Sequence, residues 1–231
     1  MNVGGFLKQS FIDYPGTICA VIFTSGCNFK CWYCHNSQLI NDASSSQISL
    51  AEIYDFLKSR KKFLEGVVIS GGEPTLQADL KEVARAIKQL GYKVKLDTNG
   101  SNPQVLQSLL DENLIDYVAM DIKTCLRNYN EIINTYKDFS DELKKSIEII
   151  KNSKVDYEFR TTFSPDISLG DIKEIADLAK DSKAFYLQKY TAENAPCGSS
   201  NITLMPHSRK TFDDALTILK TTIPSSKIRG L

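Results

Sequence analysis

Three cysteines and a histidine crowd one short stretch, "TSGCNFKCWYCHN", which runs from Thr24 to Asn36. Cys27, Cys31 and Cys34 fall within eight residues, and His35 follows directly. Thiolate and imidazole are metal ligands, so three chemistries compete for this spacing: a zinc knuckle, a covalent haem attachment and an iron–sulfur cluster. A Cys3His zinc site would force the adjacent Cys34 and His35 onto two corners of one tetrahedron, and no second ligand pair exists elsewhere. "CWYCH" matches the haem motif C-x-x-C-H but leaves Cys27 unused, and it is the chemistry of exported proteins. Three inert buried thiols would be a strange density in a chain with only six cysteines. An iron–sulfur cluster uses the three thiols and nothing more. Full ligation of a 4Fe-4S cube takes four thiolates, so three leave one iron open, as a catalytic centre requires. The triplet predicts a cluster that binds a substrate.

The rest of the chain must position that triplet. At 231 residues with 42% hydrophobic and 24% charged, it reads as one domain over 1–231, with the cluster loop at about 25–37. Lys+Arg and Asp+Glu both total 28, which removes the long-range attraction of a nucleic-acid binder. The run "SRKK" at 59–62 reads as a solvated helix face. No basic segment leads into a long apolar one at the N-terminus, and the most apolar run, "TICAVIF" at 17–23, is too short to span a bilayer. The expectation is a cytoplasmic protein that engages neither membrane nor nucleic acid, its thiols reduced and open to metal. Cys19, Cys125 and Cys197 stand alone and read as small buried hydrophobes.

Short β-rich runs alternate with helical stretches. Strands are expected at 17–25, 66–70, 92–98, 116–122, 155–163 and 184–190. Ser49 with Glu52 forms a capping box for a helix carrying Leu50, Ile53 and Leu57 on one face. Asp79 with Glu82 opens the next, ended by Gly91; "NPQVLQSLLDEN" (102–113) opens at Asn before Pro. Ser140 is expected to cap a fourth helix, Asp171 with Glu174 to open a fifth, and a last one to cover roughly 208–220. The stretches 41–47 and 191–208 read as irregular connections. This alternation argues for a parallel sheet with right-handed crossovers, as a partial barrel or an open doubly wound sheet. Both gather active groups at the C-terminal strand ends. There lie the triplet, "SGGEP" (70–74), "DTNG" (97–100), "MDIK" (120–123) and "LQKY" (187–190), with "FRTT" (159–162) inside the fifth expected strand.

C-x-x-x-C-x-x-C with Tyr33 before its last cysteine, followed by "GGE" after the next strand, resembles the radical S-adenosylmethionine superfamily. That resemblance implies an α/β fold, a partial (β/α)6 TIM-like barrel made of a parallel sheet with outer helices. "FIDYPG", "SGGEPTLQ", "DTNG", "MDIK", "EFRTT" and "KIRG" narrow the likeness to anaerobic ribonucleoside-triphosphate reductase activating proteins, relatives of the pyruvate formate-lyase activating enzymes. From about Phe6 onward the chain is similar to them.

The resemblance implies that Cys27, Cys31 and Cys34 hold one 4Fe-4S cluster whose open iron chelates S-adenosylmethionine. Reductive cleavage then gives a 5′-deoxyadenosyl radical, which takes hydrogen from a backbone glycine of an anaerobic (class III) ribonucleotide reductase. Backbone at Gly71 and Gly72 meets the methionyl amino group, and Glu73 accepts a bond there or braces the turn. Asp97, Thr98 and Asp121 hold a monovalent cation near the cofactor carboxylate, Lys123 and Arg160 face its anionic group, and Gln188 or Tyr190 meets adenosine. Trp32 and Tyr33 shield the cluster and support adenine stacking, His35 is a neighbour rather than a ligand, and Asp13 contacts the protein substrate. With Cys125 and Cys197 isolated, no second cluster is expected, so the electron comes from a flavodoxin or ferredoxin. Alternatives within this chemistry are another glycyl-radical enzyme as target, or a small-molecule reaction such as deazapurine ring contraction.

Overall fold

In the computed structural model the described residues, 1–41, 48–191 and 205–231, carry one eight-stranded sheet whose strand order follows the chain. The strands are β1 (Val3–Ser10), β2 (Cys19–Thr24), β3 (Gly66–Gly71), β4 (Lys93–Thr98), β5 (Tyr117–Asp121), β6 (Asp156–Phe163), β7 (Phe185–Lys189) and β8 (Lys227–Arg229). The helices are α1 (Leu50–Arg60), α2 (Leu80–Gln89), α3 (Pro103–Asp111), α4 (Tyr129–Ile133), α5 (Ser140–Asn152), α6 (Leu169–Leu178) and α7 (Arg209–Lys220). From β2 to β8 every neighbouring pair is parallel, and β1 lies antiparallel to β2. Each strand from β2 to β7 is followed by helix, with both α4 and α5 after β5, so six strand–helix units form the expected partial barrel. Among the described residues no pairing joins β1 to β8, and the barrel stays open on that side.

Each strand has two chemically different faces. Val94 and Leu96, Val118 and Met120, Phe159 and Phe163, Phe185 and Leu187 are buried in the layer beneath the helices. Full burial of each such side chain contributes about 1.5–3 kcal/mol. The residues between them, by the two-residue period of a strand, face inward, and several are charged: Lys95, Asp97, Glu158 and Arg160. Sheet curvature thus encloses charge while the helices cover the apolar face.

Two strands fall outside the six expected. β1, "VGGFLKQS", holds two glycines and three consecutive exposed residues, and β8 is three residues long, so neither carries a period-two signal. Consequently the sheet is mixed at its first edge rather than wholly parallel. Helix starts also differ in detail. The capping box at Ser49 and Glu52 forms as expected. The fifth expected helix is capped three residues earlier, by Ser168, with Asp171 as the reciprocal partner. Ser140 is the first residue of α5, not its cap; its amide donates to Asp138 at 2.9 Å. Asp79 precedes α2 without bonding its amides. Cys197, most of the 41–47 loop and most of the 191–208 connection lie outside the described residues. Among the described residues no helix is long and apolar enough to cross a membrane.

Candidate functional site

A cavity of about 600 Å³, within the range of small-molecule sites, opens where β2–β7 end. Cys27, Cys31, Cys34, Tyr33, Gly71, Gly72, Asp97, Thr98, Asp121, Lys123, Arg160, Gln188 and Asp13 all line it. A larger groove of about 940 Å³ lies between α3 and α5 and contains none of these residues.

The cysteine loop is pinned at both ends by backbone. Gly26 N–H donates to Leu39 at 2.8 Å, Cys27 N–H to Ile40 at 3.1 Å, and Lys30 N–H to Ile133 at 2.9 Å. Phe29, 2% exposed, wedges the loop against Tyr129 and Phe139 with ring centroids 6.2 and 5.0 Å away. The next strand end locks onto it: Gly72 N–H donates to Thr24 O and Glu73 N–H to Gly26 O, each at 2.8 Å. Gly71 takes φ +110°, a conformation open to glycine, and a Cβ there would stand 2.4 Å from Thr24 N. "GGE" therefore holds the thiol loop against the end of β3.

Glu73 is wholly buried and does not line the cavity. It receives Thr98 Oγ1–H at 2.8 Å, Asn99 N–H at 2.7 Å, and both the hydroxyl and the amide of Thr75. Of the two roles open to Glu73, bracing is the one these bonds describe. Asn99 continues the brace by donating to Asn28 in the cysteine loop at 2.9 Å, and Asn28 donates to Ser101 at 2.8 Å. Neither asparagine was singled out in the sequence, although both lie inside its motifs.

The inner wall is an ion network. Asp97 accepts from Lys95 at 2.5 Å, Ser70 at 3.1 Å and Arg160 Nη1 at 3.3 Å. Asp121 accepts from Arg160 Nε at 2.7 Å and Lys123 at 2.8 Å. Burial favours the neutral carboxyl at both positions, but Arg160 with Lys95 or Lys123 outweighs it and holds each below the usual aspartate range. Burial opposes the charge on Lys123, and Asp121 more than restores it. Asp97 and Asp121, expected with Thr98 to hold a monovalent cation, each accept from two cationic side chains, and the Thr98 hydroxyl donates to Glu73. Lys95 was missed, yet its signal is legible: it alternates with Asp97 within one strand and so shares its face.

The remaining motif residues divide. Tyr33 is 6% exposed, lines the cavity and donates to the Lys123 carbonyl at 3.4 Å. Trp32 does not line the cavity; its indole donates to Asp166 at 2.9 Å, and its ring meets Tyr33 and Tyr190 from outside. His35 is exposed at the rim. Asp13 accepts from Ser10 at 2.5 Å in the β1–β2 connection. Cys19 and Cys125 are buried thiols bonded to the Ser10 carbonyl and to Asp171, as small structural cysteines.

The donor set fits a cluster held at three corners. Burial pushes the free Cys27 thiol up to about 11 and Cys31 up to about 12, and an iron cation on each sulfur reverses that preference. Among the described residues no three His, Cys, Asp or Glu groups converge on one ion, whereas a cube offers each thiolate its own iron.

Residues 21–179 match the Radical SAM superfamily. A Methanocaldococcus jannaschii protein, described among glycyl-radical enzyme activating enzymes, is 40% identical over 201 residues, covering 84% of this chain and 81% of its own. The pyruvate formate-lyase-activating enzyme of Clostridium pasteurianum is 29% identical over 182 residues, 75% of this chain and 74% of its own. Among solved structures, Streptococcus suis SuiB bound to precursor peptide SuiA matches with a TM-score of 0.67 at 19% identity, over 91% of this chain and 48% of SuiB. This chain therefore spans about half of SuiB. A domain of pyruvate-formate lyase-activating enzyme from Bacteroides vulgatus matches with a TM-score of 0.56 at 15% identity, over 72% of this chain and 99% of that domain. At such identities the two structures share its fold.

Proposed function

The chain belongs to the radical SAM superfamily, a family of enzymes, and we propose that it is an activase that places a glycyl radical on an anaerobic ribonucleoside-triphosphate reductase. One observation carries the reading: the three thiols, the glycine pair and the Asp97–Arg160–Asp121–Lys123 network share the wall of one cavity. When bound, a 4Fe-4S cluster and S-adenosylmethionine supply one-electron cleavage of a carbon–sulfur bond.

The protein's own residues hold, orient and exclude water. Cys27, Cys31 and Cys34 hold the cluster. Gly71 and Gly72 let backbone approach the amino group of the methionyl part, and Lys123 and Arg160 bring cationic donors to its carboxylate. Arg160, Lys95 and Lys123 supply the charge that a monovalent cation would otherwise bring. Gln188 and Tyr190 border the adenosine side, and Tyr33 keeps solvent from the cysteine loop. Asp13, which lines the cavity from the connection between β1 and β2, meets the partner's glycine-bearing loop. The electron comes from a flavodoxin or ferredoxin, and the setting is cytoplasmic.

Anaerobic reconstitution with iron and sulfide, followed by dithionite and S-adenosylmethionine, tests this. Release of 5′-deoxyadenosine that disappears in Cys31→Ala, with a glycyl signal on added class III reductase, supports it. Reconstitution with zinc or haem in place of the cluster overturns it. Turnover of a small molecule without any partner would move the assignment away from activation.

A further inference from the structure

The inner wall holds one buried carboxylate that the proposed cofactor contacts do not use. Glu158 precedes Arg160 by two residues on β6, is 1% exposed, and lies 3.9 Å from Arg160 Nη1. Its bonds go elsewhere. Arg229 on β8 grips it as a fork, Nη1 to Oε1 at 3.0 Å and Nη2 to Oε2 at 3.1 Å, and Tyr117 donates to Oε2 at 3.1 Å. The Arg229 guanidinium sits 3.9 Å from the centre of the Tyr186 ring. The pairing of Gln188 with Arg229 puts this C-terminal arginine on the inner face.

A carboxylate this deeply buried needs a cation or, as at Glu73, a full set of hydrogen-bond donors. Without Arg229, Glu158 would keep only a phenol, and Arg160 would be the cation already within ion-pair reach. The bond that would yield is the longer of those Arg160 makes, 3.3 Å to Asp97 against 2.7 Å to Asp121. Among the described residues, Arg160 Nη2 makes no bond, so the orientation set by these two aspartates decides what the guanidinium offers the cavity.

We infer that Arg229 is a positioning residue for the cofactor cavity: by satisfying Glu158 it leaves Arg160 on Asp97 and Asp121. This rests on reading the cavity as the S-adenosylmethionine site. It also gives the three-residue β8 a purpose beyond closing a sheet edge.

The test is equilibrium binding of S-adenosylmethionine to the anaerobically reconstituted protein, with iron content and thermal midpoint measured alongside. Arg229→Met should weaken binding at least tenfold with iron content unchanged. Arg229→Met combined with Glu158→Gln should return binding to within threefold, because no stranded carboxylate competes for Arg160. A crystal structure of Arg229→Met should show Arg160 moved onto Glu158. Unchanged binding in Arg229→Met, or a double variant as weak as the single one, overturns the inference. If Arg229→Met cannot be purified, Arg229→Gln is compared with Arg229→Gln plus Glu158→Gln under the same criteria. Failure of the unaltered protein to bind S-adenosylmethionine overturns the functional reading together with the inference, whereas the other failures overturn the inference alone.

Discussion

A methyl group on Gly72 would stand 2.1 Å from the carbonyl oxygen of Gly26. That close approach is what allows the end of β3 to bond the base of the cysteine loop. Backbone cannot swing aside as a side-chain tip can, so Gly72→Ala must open the joint. Urea unfolding should show a loss of about 2 kcal/mol or more, and reconstituted iron should fall with it. Gly170→Ala in α6 is the control: its added Cβ meets Ser168 Oγ at 3.5 Å, an ordinary contact, and the variant should gain up to about 1 kcal/mol. Equal iron retention in Gly72→Ala and the unaltered chain would rule the joint out.

Glu73 should act on stability before it acts on binding. Glu73→Gln turns one acceptor oxygen into a donor facing Thr98, Thr75 or Asn99, which costs about 1–3 kcal/mol. A variant that loses S-adenosylmethionine binding while unfolding at the same denaturant concentration would show direct cofactor contact instead.

Arg160→Met should leave Asp97 and Asp121 short of a shared cation. Each aspartate keeps a lysine, Asp97 at 2.5 Å and Asp121 at 2.8 Å, and both face the cavity. The loss should therefore stay below about 3–5 kcal/mol, the cost of a fully buried, stranded charge, with a matching fall in the unfolding midpoint. Combining it with Asp121→Asn should recover part of that loss. If the double variant is weaker than the sum of the two single ones, the carboxylates are not held by Arg160.

Fixed cations on both aspartates predict indifference to monovalent salt. Replacing sodium and potassium by choline at constant ionic strength should change 5′-deoxyadenosine formation by less than about twofold, since a twofold change is only about 0.4 kcal/mol. A steep, ion-specific activation curve would contradict the assignment of that charge to Arg160, Lys95 and Lys123.

Asp171 should dominate part of the acid response. Burial raises its pKa, but bonds from Ser168, Cys125 and Arg127 prevail and bring it to about 2, below the unfolded value of 3.8. A folded pKa below the unfolded one gives stability that is complete above about pH 4 and is lost as pH falls toward 2. Asp171→Asn should therefore be less stable at neutral pH, with a flatter stability curve between pH 4 and 2. Parallel curves for the two proteins across that interval would refute the assignment.

Much of the site was readable because its signals are local. Three thiols at a fixed spacing announce their chemistry from within eight residues, and Ser49 with Glu52 announces a helix start within four. β-rich runs place Gly71, Asp97, Asp121 and Gln188 near strand ends, and the cavity includes all four. Local patterns were silent about β1 and β8, whose residues carry no alternation, and although "EFRTT" and "KIRG" include Glu158 and Arg229, nothing local showed that the two meet across 71 positions.

By itself, the sequence determined the ligand chemistry, the strand–helix alternation and the family, because each depends on residues close together in the chain. Only the tertiary structure decided who neutralises whom. A charged residue inside a strand reads the same whether it meets solvent or another charge. Sheet curvature and register bring Arg160 to Asp97 across 63 positions and Arg229 to Glu158, and burial there makes every unpaired charge costly.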